Sequence, residues 1–176
     1  MSNNIGVIGL GAMGRGMAAS LRRAGRSVHV FDVRAEAARA FVAEGGTACA
    51  SPAEVAAHCE VIVSVVVNAA QTEEVLFGEH GAAAAMAPGS LFVMCSTVDP
   101  NWSVALEQRL ADRGLLYLDA PISGGAAKAA SGQMTMMTAG TPAAYGKAGG
   151  ALDAMAVRYL GIEVDDALEI SEQLEI

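Results

Sequence analysis

The 176-residue sequence has few aromatic and few basic side chains: one Trp, three Tyr and four Phe, and 11 Lys plus Arg against 19 Asp plus Glu. A net charge of -8 leaves no basic stripe of the kind that phosphate-backbone binding requires, which excludes nucleic acid as a partner. No apolar run approaches the roughly 20 residues of a membrane-crossing helix, and the opening MSNN has no basic flank, so neither a membrane span nor a secretory leader is expected. Cysteine is scarce. Cys49, Cys59 and Cys95 are odd in number and have neither C-x-x-C spacing nor a histidine cluster. That argues against a disulfide framework and a metal site, and predicts buried thiols in a reducing cytoplasm.

What the sequence has is aliphatic: 53% hydrophobic against 17% charged residues, enough to bury one sizeable core. The length suits one unit with a short appendage and is too small for a two-domain enzyme. Apolar runs alternate with amphipathic Ala-rich stretches, as strands joined by helices do. Strands are predicted at residues 5–8, 28–31, 61–67, 91–95, 115–118 and 134–139. Continuous runs such as VIVSVVV suit a parallel sheet covered on both faces. Ser51-Pro52-Ala53-Glu54 reads as a capping box, and Asp99-Pro100 and Thr141-Pro142 repeat the cap-then-proline helix entry. Together these predict an α/β fold with a doubly wound, mostly parallel sheet of the Rossmann type.

Gly9, Gly11 and Gly14 in GLGAMG form G-x-G-x-x-G. With 20 glycines in the chain, that spacing alone arises by chance in about one such sequence in four. Its place decides the matter, since it follows the first strand and opens a helix. Gly9 permits the tight turn, Gly11 the approach of a diphosphate, and Gly14 close packing of helix on strand, while free amides and the helix dipole hold the phosphates. Asp32 closes the second strand at the distance where a carboxylate accepts from ribose hydroxyls. A 2′-phosphate there meets like charge, costing about 4 kcal/mol at about 4 Å and an effective dielectric near 20. NAD is therefore expected and NADP is less suited, although Arg34 stands close enough to neutralise such a phosphate.

GLGAMGRGMAASL, followed by CSTVDP at residues 95–100 and DAPISGGAAKAASGQMT at residues 119–135, resembles the β-hydroxyacid dehydrogenase family. VVNAAQTEEVLFG at residues 66–78 looks most like its L-threonate dehydrogenase branch. The resemblance implies an NAD-dependent oxidoreductase acting on a small hydroxy or sugar acid, with 3-hydroxyisobutyrate and tartronate semialdehyde as alternatives to L-threonate. It makes Leu10, Ala12 and Met13 part of the cofactor loop and puts Val66, Val67 and Gln71 beside the cofactor. It sets Thr97 near the nicotinamide, and gives Ser123, Gly124 and Gly125 the substrate carboxylate. An S-G-G turn before a helix also offers several donors to an anion on its own account.

The family's proton-transferring lysine lies in a G-x-x-G-x-x-x-K-x-x-N stretch that leads into an all-helical second domain, and this sequence contains no such stretch. Its only lysines, Lys128 and Lys147, read as solvated helix-surface residues. His29, His58 and His80 read as structural or exposed. No catalytic residue is therefore assigned, and little turnover is expected of the chain alone. Residues 1–161 are read as the dinucleotide domain. Residues 162–176 hold six acidic residues and no basic one, which suggests a short helical tail with Val164, Ala167, Leu168 and Leu174 on one face. Surface left by the missing helical domain favours a homo-oligomer; a non-catalytic dinucleotide-binding or interaction module is the competing reading.

Overall fold

In the computed structural model, which describes residues 2–163 with side chains through Val157, strands and helices alternate along almost the whole chain. The order is β1 (Asn4–Ile8), α1 (Ala12–Arg23), β2 (Ser27–Phe31), α2 (Ala35–Val42), β3 (Thr47–Ala48), α3 (Pro52–His58), β4 (Val61–Ser64) and α4 (Ala69–Phe77). It continues with β5 (Leu91–Met94), α5 (Pro100–Ala111), β6 (Leu116–Asp119), β7 (Ile122–Ser123), α6 (Gly125–Ser131), β8 (Met134–Gly140), α7 (Pro142–Met155) and β9 (Ala156–Glu163). One sheet runs β3-β2-β1-β4-β5-β6-β8-β7, with β9 on β8. The first six strands are parallel; β8 is antiparallel to β6 and β7, and β9 lies parallel to β8.

The side-chain period of two builds both cores. Val61 and Val63 of β4 face one apolar cluster with Met17 and Leu21 of α1, Phe41 of α2, and Ala148 and Leu152 of α7. Ile62 between them faces a second cluster with Val55 of α3, Leu76 of α4, and Leu106 and Leu110 of α5. Every residue of β4 and β5 is buried, as strands with helices on both faces must be. The helix entries act as their sequences predict. Ser51 accepts from the Glu54 amide, Thr141 from Ala144, and Asp99 from Asn101 and Trp102. The Glu54 carboxylate reaches back past Ser51, accepting from the Ala50 amide at 2.6 Å.

Three expectations about the strands need correction. β4 stops at Ser64, three residues short of the expected end, because the Val65 amide makes a last bond to the Ile8 carbonyl and the chain then leaves the sheet. β3 and β7, at two residues each, are too short for any period to reveal. β9, Ala156–Glu163, has no counterpart among the predicted strands. The proposed helical face of Val164, Ala167, Leu168 and Leu174 lies outside the described residues. Among the described residues no helix is long and apolar enough to cross a membrane.

Candidate functional site

Strand order reverses between β1 and β4, opening a crevice at their carboxyl ends, the place where open α/β sheets bind ligands. The glycine loop forms its floor. Gly9 has φ 94°, and a side chain there would strike the Val65 carbonyl. One on Gly14 would strike the Gly9 carbonyl, whereas one on Gly11 would meet nothing within 4 Å. Two glycines thus let helix, loop and strand close on each other, and the third leaves open space. Gly11 caps α1 with no side-chain bond and no acid follows in the first turn, so the helix presents unpaired amides and the positive end of its dipole. Leu10 turns its side chain into the core and gives only its backbone to the loop. Met13 packs partly buried against the same core, and Ala12 begins α1.

Asp32 follows β2 and is tied to the loop. Its Oδ2 accepts from the Leu10 amide at 2.7 Å, and its Oδ1 accepts from the Arg34 amide at 2.8 Å and the Arg34 Nε at 3.3 Å. Burial opposes its ionisation, but those two amides and the guanidinium outweigh it and hold the carboxyl below its ordinary value. The side chain is 8% exposed. A carboxylate offers about four lone-pair sites, so acceptor capacity remains for ligand hydroxyls.

The other wall comes from the turn after β4. The Val67 amide donates to Gln71 Oε1 at 2.8 Å, the Gln71 amide to its helix cap Asn68 at 2.9 Å, and the buried Ser96 hydroxyl to the Val66 carbonyl at 2.7 Å. The resulting cleft has a volume of about 520 Å³, within the range of small-molecule sites. Of the expected cofactor residues, Gly9, Gly11, Asp32, Val66, Val67 and Gln71 line it. Leu10, Ala12, Met13 and Gly14 support the loop without lining it, and Thr97 is exposed outside the cleft. Val33 and Val67 stand 90% and 78% exposed at its edges and give it apolar rims. Pro52, Glu74, Glu79 and His80 also line it. Sequence reading missed them, since Ser51-Pro52 signals only a helix entry and the rest carry no local motif.

The S-G-G turn lies apart from this cleft. Ser123 ends β7 and pairs with Thr135; Gly124 and Gly125 have φ 138° and 77°, a succession that only glycine adopts without strain. All three residues are exposed, and no side chain caps α6. Lys128 is exposed, its stem lying against Gly124. Lys147 is not simply solvated, because it pairs with Glu60 at 2.7 Å, a partner 87 positions away that no local pattern reveals. His29 and His58 stack at 5.2 Å. The three thiols are free and buried, and burial pushes Cys49 up to about 11 and Cys59 and Cys95 up to about 12. Among the described residues no three His, Cys, Asp or Glu side chains come together as a metal site would need.

A second carboxylate, Asp119 at the end of β6, was not singled out from the sequence. Its Oδ2 accepts from Ser103 at 2.8 Å, Ser103 Oγ lies 2.7 Å from the Tyr117 hydroxyl, and Tyr117 reaches Met94 Sδ at 3.4 Å. Asp119 Oδ1 is buried without a partner. Burial lifts the Asp119 carboxyl above its ordinary value, against the opposing bonds from Ser103 and Ala120.

Residues 4–162 match the family described as the NAD binding domain of 6-phosphogluconate dehydrogenase. The chain is 59% identical over 156 residues to L-threonate dehydrogenase of Cupriavidus necator, covering 89% of this chain and 52% of that protein. It is 34% identical over 168 residues to the NAD-dependent L-serine dehydrogenase of Pseudomonas aeruginosa, covering 96% and 56%. The crystal structure of 3-hydroxyisobutyrate dehydrogenase from Salmonella typhimurium superposes with a TM-score of 0.87 at 39% identity, covering 98% of this chain and 61% of that one. The chain spans about half the length of the curated relatives it matches.

Proposed function

The chain belongs to the family of NAD binding domains of 6-phosphogluconate dehydrogenase, and on that premise we propose that it is the cofactor-binding part of an NAD-dependent dehydrogenase for a small hydroxy acid, L-threonate first among the candidates. One observation carries this reading: a carboxylate kept ionised by the amide of the glycine loop, at the rim of a cleft of nucleotide size. NAD, when bound, supplies the hydride acceptor. The α1 amides and Gly11 suit its diphosphate, and the free lone pairs of Asp32 suit two ribose hydroxyls while opposing a 2′-phosphate. Val33 and Val67 offer apolar edges to a ring, and Gln71 with the 65–67 turn fixes the opposite wall.

In this reading Ser123, Gly124 and Gly125 receive the substrate carboxylate through a hydroxyl and two exposed amides, and Thr97 stands toward the nicotinamide. Taking a proton from the substrate alcohol needs a poised base. Neither lysine supports that role, Lys147 being paired with Glu60 and Lys128 exposed on α6. The chain therefore binds NAD but turns over little by itself. The names of its relatives support L-threonate, and equally a family of small carboxylates that includes L-serine and 3-hydroxyisobutyrate. Self-association through exposed Met137 of β8 and Val157 of β9, and residence in a reducing cytoplasm, in keeping with three free thiols, belong to the same proposal.

Calorimetry with NAD and NADP tests the reading, with NAD expected to bind tighter. NADH formation on L-threonate tests turnover, and light scattering tests association. Absence of affinity for either dinucleotide would overturn the cofactor role, and a rate in the ordinary range of about 1 to 1,000 per second would overturn the expectation of low turnover.

A further inference from the structure

The helix behind the S-G-G turn has little of its own to hold it. α6 has seven residues, a glycine at its N-cap with no side-chain bond, no acid in its first turn, and a left-handed glycine, Gly132 at φ 72°, at its end. What fixes it is α1. At Gly16 the two helices touch backbone to backbone, so that a side chain there would overlap the main chain of Ala129 and Ala130. One turn further, the buried Ser20 Oγ lies 2.8 Å from the Ala129 carbonyl and 3.3 Å from that of Ala130. Arg23 Nη2 donates to Ser20 Oγ at 2.9 Å and also to the Ala130 carbonyl. The carbonyls so engaged belong to the last turn of α6, where helix acceptors lack intrahelical partners and a cation complements the dipole.

We propose that Gly16, Ser20 and Arg23 are positioning residues: from the middle and carboxyl end of α1 they clamp α6, and so set where the Ser123-Gly124-Gly125 turn stands relative to the diphosphate loop. The argument is one of rigid bodies. α1 carries Gly11 at its amino end and the clamp two turns on, along a helix of about 18 Å. The carboxyl end of α6 is thus fixed to α1, the helix whose amino end closes the diphosphate loop. No other side-chain bond ties α6 to a neighbouring element among the described residues. Loosening the clamp releases the turn without disturbing the dinucleotide cleft, none of whose lining residues belongs to it. The consequence for substrate rests on the reading of S-G-G as the carboxylate site; the clamp itself does not.

The test uses the full chain and its Ser20→Ala, Arg23→Ala and Arg23→Lys variants. Amide hydrogen exchange in α6 is expected to speed up about tenfold in the alanine variants, the loss of one hydrogen bond to a charged group or of a buried hydroxyl. Arg23→Lys, which keeps the cation, is expected to fall between Arg23→Ala and the parent. NAD affinity, measured by calorimetry, stays within about twofold because the sites are separate. L-threonate, titrated into the NAD-saturated chain, is expected to weaken about tenfold on the same grounds. Unchanged α6 exchange overturns the proposal, and so does a fall in NAD affinity parallel to it, which marks general loosening. If the parent takes no L-threonate, the carboxylate reading of S-G-G fails by itself, and the exchange and NAD arms still decide the clamp.

Discussion

Asp32 and Asp119 stand at the carboxyl ends of β2 and β6 of the same sheet, both largely withdrawn from water, and their surroundings act in opposite directions. Asp32 accepts from two backbone amides and a guanidinium, and its carboxyl is held down despite burial. Asp119 accepts from the Ser103 hydroxyl, has the Ala120 amide as its one backbone donor, keeps a buried oxygen without a side-chain partner, and is lifted. Burial is the largest influence on each. What separates them is the donors aimed at the charge: the Leu10 amide of the glycine loop with the amide and guanidinium of Arg34 in one case, and one neutral hydroxyl with a single amide in the other. A carboxylate over-supplied with fixed amides stays charged and keeps lone pairs for a ligand, whereas one under-supplied is costly to ionise.

The comparison breaks most severely at Gly14. A methyl there is driven onto the Gly9 carbonyl, so Gly14→Ala must shift the loop that brings the Leu10 amide to Asp32. Overpacking costs up to about 3 kcal/mol. The variant is expected to unfold at lower urea and to bind NAD about a hundredfold more weakly by calorimetry. Unaltered affinity would show that the loop tolerates displacement and that amide placement does not matter.

Asp32→Asn removes the charge and keeps the shape. Hydrogen bonds to charged groups exceed neutral ones by about 1 kcal/mol, so NAD should weaken about tenfold while the preference over NADP narrows. The charge also contributes to stability. With the folded carboxyl below its ordinary 3.8, that contribution is complete above 3.8 and disappears only as acid carries the pH through the lower folded value. The parent should therefore lose stability relative to Asn only in acid, a difference that urea midpoints at pH 3 and pH 6 measure.

How far the sequence revealed this follows from the range of each signal. The glycine loop and Asp32 were legible because a turn and its carboxylate are specified within a few residues and the pairing is local to β1 and β2. The central strands were legible as apolar runs. β3 and β7 lack the length to show a period, and β9, AVRYLGIE, has neither an unbroken apolar run nor strict alternation. On the far wall Gln71 was legible through the resemblance, whereas Pro52, Glu74 and His80 were hidden because they arrive from three separate segments with no shared motif. Ser96 was visible as part of CSTVDP, but its bond to the Val66 carbonyl spans 30 residues. Asp119 opens the DAPISGG motif, yet its character depends on Ser103 and Tyr117 across a helix and a strand.

The smallest expected effect bears on that second carboxylate. Asp119→Asn retains an acceptor for Ser103 and exchanges a charge that is hard to bury for a neutral amide. Because the folded carboxyl lies above 3.8, the protonated form is favoured on folding. Its stabilising contribution is whole below 3.8 and is lost as the pH rises through the folded value. At pH 8 the parent bears the ionised, half-satisfied group, and the Asn variant should be more stable by about 1 kcal/mol, the usual cost of an unmade buried bond; at pH 3 the two should coincide. His29 slopes the other way. Burial first, and the stacked His58 second, hold it below 6.5, so its share of stability is present above 6.5 and declines in acid. That slope is common to both proteins and cancels when urea midpoints are subtracted at each pH. Should the Asn variant be the weaker at pH 8, the charge of Asp119 is held by partners as effective as those of Asp32, and the contrast between the two ends of the sheet disappears.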